Sequence, residues 1–117
     1  MGWPAYLASS RGIIVAQIDG RGSGGEGDRR RFELWNRLGS VEVQDQIEVV
    51  RHLVSNLSII NPRQIAIWGW SYGGYVTLRA LSDEDQDLFQ CGIAVAPVTN
   101  WRFYGTYRGT GGRKSGP

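Results

Sequence analysis

"RQIAIWGWSYGGYVTLRAL" occupies residues 63–81. Its first eight residues read as a buried strand and the remainder as a helix, with one serine at the joint. Gly69-Trp70-Ser71-Tyr72-Gly73 fits G-x-S-x-G. A turn passing straight from strand to helix strains the backbone of its central residue. Side chains two positions to either side would collide, so both places are expected to be glycine. The Ser71 hydroxyl is then expected above the carboxyl edge of the sheet. The next helix would start beneath it, with the Tyr72 N–H aimed where an oxyanion would form. Gly73 and Gly74 are poor helix formers, so something is expected to approach that face closely. The string alone is equally compatible with a glycine-rich turn carrying an inert serine. The strand before it and the helix after it favour a nucleophile elbow.

Working outward, "FQCGIAVAPV" at residues 89–98 reads as another buried strand, after an acidic loop from Ser82 to Asp87. Upstream, Val43, Ile47, Val50, Val54 and Leu57 recur at helical spacing and make one apolar stripe. Ser40 is placed as its N-cap, Glu42 lies in the favourable first turn, and Asn61-Pro62 breaks the helix. "GIIVAQID" at residues 12–19 is β-branched without alternation and reads as a strand covered on both faces. A short helix from Trp3 to Ser9 precedes it, with Pro4 in its first turn and Gly12 as its stop. Apolar strands alternating with helices predict an α/β fold with a parallel sheet. Three strands are few for that architecture, so the chain reads as the middle of a larger domain. Residues 105–117 hold five glycines and no apolar period, and are expected to be an irregular tail.

The 117 residues have a globular composition, 41% hydrophobic and 21% charged, with a formal net charge of +2. The triple arginine at residues 29–31 has no interleaved aromatic platform, so it reads as a solvated loop face and no nucleic-acid partner is expected. No apolar run approaches the roughly 18 residues of a membrane-spanning helix, and no targeting signal is visible. The single cysteine, Cys91, excludes an internal disulfide framework and a cysteine-rich zinc site; it is expected to be a small buried hydrophobe. No metal or cofactor is expected.

A serine needs a base to become a nucleophile. The one histidine, His52, falls about 200° round its helix from Val50, on the face carrying Asp45 and Glu48, and reads as solvated. It also precedes the serine, whereas elbow enzymes run serine, acid, histidine. Asp83, Asp85 and Asp87 come too soon after Ser71 to be the usual acid and read as surface charges. A catalytic triad cannot be completed within these residues. Residues 20–25, "GRGSGG", match G-x-G-x-x-G, the fingerprint of a dinucleotide-binding turn. That turn needs its third glycine inside a helix packed on the strand. Gly25 is instead followed by a charged run without an apolar stripe, so a loop leaving the sheet edge is the better reading.

Four stretches, "DGRGSG…GD", "RLG…EV.DQIE", "IAIWGWSYGGYVT" and "CGIAVAPV..W..Y", together resemble the dipeptidyl-peptidase branch of the prolyl oligopeptidase family. The likeness runs through residues 3–104. It implies the central segment of an α/β-hydrolase catalytic domain, with Ser71 as nucleophile and Tyr72 supplying an oxyanion N–H. It also implies that Tyr72, Val98, Trp101 and Tyr104 wall a pocket for a penultimate proline or alanine. The implied activity is release of N-terminal dipeptides from peptide substrates. By the same likeness, the triad aspartate and histidine lie beyond Pro117; a second oxyanion donor and the glutamates that hold the substrate amine lie upstream of Met1. Tyr107 is off by one from a further pocket tyrosine and takes no role. The implied parent is a homodimer, anchored at the cell surface as a type II membrane protein or secreted. Cys91 matches a cysteine that such relatives pair further downstream, and Asn56-Leu57-Ser58 is a glycosylation sequon. The alternative is a non-catalytic homologue that binds peptides or proteins; retention of Ser71 favours the enzyme.

Overall fold

The computed structural model describes residues 2–23, 38–83 and 86–101. Its elements are α1 (Trp3–Arg11), α2 (Val41–Asn56), β1 (Ala66–Trp70), α3 (Tyr72–Leu81) and β2 (Cys91–Val95). The two strands pair in parallel, with Ala66 opposite Cys91 and Trp70 opposite Val95. Parallel neighbours need a crossover, and α3 supplies it, packing on both strands while α2 packs on α3. The result is the α/β architecture the alternating pattern predicts.

Each element stops for a local reason. Pro4 sits in the first turn of α1, and Gly12 closes that helix in the left-handed region at φ 63°. Ser40 occupies the N-cap position of α2, but its hydroxyl makes no capping bond. The Glu42 carboxylate reaches back instead, accepting the N–H groups of Gly39 and, at 3.1 Å, of Ser40. That arrangement serves two donors of the helix start and places a negative charge at its positive end. At the entrance to β1 the Gln90 side chain closes the ladder, accepting the Ile65 N–H at 2.7 Å, while the Gln90 N–H bonds the Ile65 carbonyl at 2.9 Å.

The core lies between α2, α3 and the chain leading into β2: Val43, Ile47, Ala80, Leu88 and Phe89, with Val50, Ile65, Ile67, Val76 and Leu81 packed against it. Val43 and Ile47 are the buried part of the helical stripe. Leu57 lies beyond the end of α2 and is exposed, so the stripe runs one residue longer than the helix.

Two expectations are corrected. The strand expected at residues 12–19 forms no ladder, and Ile13 and Ile14 stay about half exposed. A strand exists only with a neighbour, and the described residues place none beside this segment. Among the described residues, the two strands that do form are covered on one face only. Ala66, Trp68, Trp70, Cys91 and Ile93 alternate onto the face turned away from α3 and are exposed. Cys91 is therefore not a buried hydrophobe: the pleat carries it to the uncovered side.

The glycine-rich stretch is anchored in a way the charge pattern hides. Arg21 donates from Nε and Nη2 to the Asp45 carboxylate, the shortest contact being 2.6 Å, and the Arg21 N–H adds a bond of 2.8 Å. Gly20 lies so close to α2 that an added Cβ would meet Asp45 Cβ at 3.2 Å. Gln46 completes the anchor by donating to the Ile18 carbonyl at 3.3 Å. Asp45 is thus half-buried under the loop and is not part of a solvated face. The sequence expectation of a loop in place of a nucleotide turn holds for residues 20–23; Gly24 and Gly25 lie outside the described residues. Asp45→Ala is expected to cost about 1–2 kcal/mol, more than a fully exposed pair would, because the fork is bidentate and its acceptor is partly desolvated. Amide exchange of a peptide spanning residues 18–23 should accelerate; unchanged protection there would refute the anchor.

Candidate active site

Ser71 follows β1 without an intervening residue and caps α3. Its backbone sits at φ 54° and ψ −112°, a region that non-glycine residues avoid at a cost of order 1–3 kcal/mol. The neighbouring chain holds it there. The Ser71 N–H donates to the Val95 carbonyl at 2.9 Å, and its carbonyl accepts the N–H groups of Tyr75 at 3.1 Å and Val98 at 3.4 Å. The strain is shared by the next strand: Ala96, just past β2, stands at φ 43°. Both residues lie at the carboxyl edge of the sheet, where ligands of open α/β sheets bind.

The glycines divide the work unequally. A Cβ at Gly69 would land on the carbonyl carbon and oxygen of Gly73, with Gly73 Cα at 2.9 Å. A Cβ at Gly73 would meet nothing within 4 Å. The expected collision on both sides is therefore one collision, of Gly69 against the Gly73 backbone. Gly74 meets the other expectation, that something approaches α3 closely: Pro97 lies 3.1 Å from where its Cβ would be.

Ser71 is exposed at the head of α3. Tyr72 is the first residue of that helix, so its N–H has no partner within the helix and points out of the helix start with the positive end of the dipole. A helix-start N–H and an exposed hydroxyl thus stand on adjacent residues.

The Tyr72 side chain joins a cluster of rings. Trp101 meets it edge-on at 6.0 Å between centroids, and Tyr75 lies 5.7 Å from it; Tyr75 and Trp101 are nearly perpendicular at 5.2 Å. Val98 is half-buried and tied to the elbow through its N–H. Three of the four expected pocket residues are thus gathered at Ser71, and Tyr104 lies outside the described residues. Tyr75 was not singled out from the sequence, although its place one turn after Tyr72 on α3 puts both on one face. Gly39, at φ 81°, seats this cluster: a Cβ there would run into the Tyr75 phenol, with Tyr75 Cζ at 2.9 Å.

The Tyr72 hydroxyl donates to Glu42 Oε1 at 2.5 Å. Burial, then the bond to that carboxylate and its charge, push the Tyr72 phenol well above the ordinary tyrosine range, so it stays a protonated donor. A cleft of about 340 Å³ lies between residues 20–23 and Glu42, Tyr72 and Gly73. The remaining candidates fall where expected. His52 is on the exposed face of α2, with Asn56 donating to its carbonyl at 2.7 Å. Asp83 accepts from Gln44 and Asp87 faces Arg51 at 4.0 Å, both at the surface; Asp85 lies outside the described residues. Among the described residues, no group of three or more His, Cys, Asp or Glu side chains could hold a metal, and no helix is long and apolar enough to cross a membrane.

The sequence model of the prolyl oligopeptidase family matches residues 1–110. The chain belongs to the prolyl oligopeptidase family. Within the family it is similar to dipeptidyl peptidase 4 of Bos taurus, 51% identical over 104 residues covering 89% of this chain. Prolyl endopeptidase FAP of Homo sapiens is 48% identical over 102 residues covering 87%, and the venom dipeptidyl peptidase 4 of Vespa velutina is 45% identical over 103 residues covering 88%. In each case the chain spans only 13% of the relative's length. The crystal structure of Porphyromonas gingivalis dipeptidyl peptidase 4 superposes with a TM-score of 0.79 at 45% identity, over 88% of this chain and 14% of that one. The described elements are therefore part of the α/β fold of this peptidase family, and the elbow lies inside the matched region.

Proposed function

We propose that this chain is the nucleophile-bearing segment of a serine dipeptidyl peptidase. The observation that carries the reading is Ser71: exposed, held at φ 54° between a parallel strand and a helix start, in a chain half identical to dipeptidyl peptidase 4 of Bos taurus. Ser71 Oγ attacks the carbonyl carbon of the substrate's second residue, and the carbonyl π electrons move onto its oxygen. The Tyr72 N–H stabilises that oxyanion. The proton of Ser71 passes to a histidine, which returns it to the leaving amine as the C–N bond breaks. Water then hydrolyses the acyl-enzyme. The rings of Tyr72 and Trp101, with Val98, wall an apolar slot suited to the flat pyrrolidine of proline or the methyl of alanine.

In this reading the triad aspartate and histidine belong to other parts of a longer polypeptide, because His52 is directed to solvent on α2. That polypeptide acts as a homodimer on peptides and is anchored at a cell surface or secreted. Segment 3–104 is one piece of its catalytic domain. The expected result is cleavage of a Gly-Pro reporter by the full-length protein. The isolated 117-residue chain should give no rate above background, since this reading assigns two triad members outside it and, among the described residues, one face of its sheet is bare. Turnover by the pure isolated chain would contradict the assignment of acid and base to residues outside it.

A further inference from the structure

Glu42 is a carboxylate at 5% exposure, on a different helix from the elbow. Its two oxygens meet three donors: the Gly39 and Ser40 N–H groups at the start of α2, and the Tyr72 hydroxyl on α3. The amides and the helix dipole hold the carboxylate in place. The tyrosine bond is then charge-assisted, about twice as strong as a neutral one. Tyr72 is pinned at both ends, its backbone by the strained turn at Ser71 and its phenol by Glu42. Between those ends lies the ring that faces Trp101 and Tyr75. Gly39 contributes twice, giving its N–H to Glu42 and seating Tyr75. We propose that Glu42 is a positioning residue that fixes the Tyr72 ring and so sets the preference for proline at the penultimate position. The proposal rests on the peptidase reading above.

The expected consequences separate positioning from mere stability. A mispositioned ring harms the tight fit to proline more than the loose fit to alanine. General damage to the elbow lowers both alike. In the full-length protein, Glu42→Gln and Tyr72→Phe should each reduce the ratio of kcat/KM for Gly-Pro over Gly-Ala reporters about tenfold, the scale of one charged hydrogen bond. The double variant should be no worse than either single one, because both remove the same bond. Fluorophosphonate labelling of Ser71 should keep its rate in Glu42→Gln, since the probe needs the nucleophile and the oxyanion donor but not the proline slot. An unchanged ratio in Glu42→Gln, multiplicative losses in the double variant, or slowed labelling would each overturn the proposal. Should Glu42→Gln fail to fold, Tyr72→Phe decides alone: a ratio equal to wild type overturns it. A wild-type protein that cleaves neither reporter would remove the peptidase reading and this proposal with it; an active wild type with any failure above removes only the role of Glu42.

Discussion

Replacing Ser71 by alanine in the full-length protein is expected to lower kcat for a Gly-Pro reporter by about a million-fold, leaving KM within a few-fold of wild type. The asymmetry follows from where the hydroxyl acts. It forms its bond to the substrate in the transition state, so its loss falls on kcat and not on ground-state binding. Oriented donors and the pocket survive, and a residue of catalysis over water survives with them. Folding should not suffer. Ser71 makes its structural contacts through its N–H and carbonyl, which alanine keeps, and its side chain is exposed. Equal far-ultraviolet circular dichroism and melting behaviour with activity lost is the expected pair of results. A Ser71→Ala protein retaining a tenth of wild-type kcat would refute the assignment.

Gly69→Ala should have the second largest effect, and for a different reason. The new methyl would occupy the space of the Gly73 carbonyl group, which is backbone and cannot swing aside as a side chain could. Either α3 slides away from β1 or the strand bends. Overpacking against backbone is expected to cost about 3 kcal/mol. Even where the protein folds, a nucleophile displaced by about 1 Å loses on the order of a hundredfold in rate. Gly73→Ala, by contrast, should be well tolerated structurally, because its Cβ would meet open space. Comparing the two variants by thermal denaturation and reporter turnover checks the one-sided clash. Equal destabilisation would contradict it.

The difference between these two glycines marks what the letters could convey. G-x-S-x-G announces the elbow because the turn is local: strand, strained residue and helix start all lie within a few positions. Which glycine avoids the clash depends on the path of the helix, and only the structure gives it. The same divide separates Ser71 from residues 12–19. Their β-branched run signals extended chain, but a ladder needs a partner that a single stretch of sequence does not name. The nearly continuous apolar run around Cys91 suggests cover on both faces, while the described residues cover one and leave the thiol exposed.

Long-range polar pairs were the least legible features. Asp45 looked like a solvated helix charge, and nothing local points to Arg21, 24 positions earlier. Glu42 was placed correctly at the positive end of its helix, but its bond to Tyr72 spans 30 positions and two helices. The helical period could have flagged Tyr75 beside Tyr72, since they are three residues apart on one face.

The central claim is that Ser71 is an activated nucleophile, and covalent labelling measures that most directly. Incubation of the full-length protein with a fluorophosphonate, followed by digestion and mass spectrometry, should place a single phosphonyl adduct on the peptide containing Ser71, with prior unfolding abolishing it. An adduct mapped to another serine, or none on the folded protein, would contradict the account.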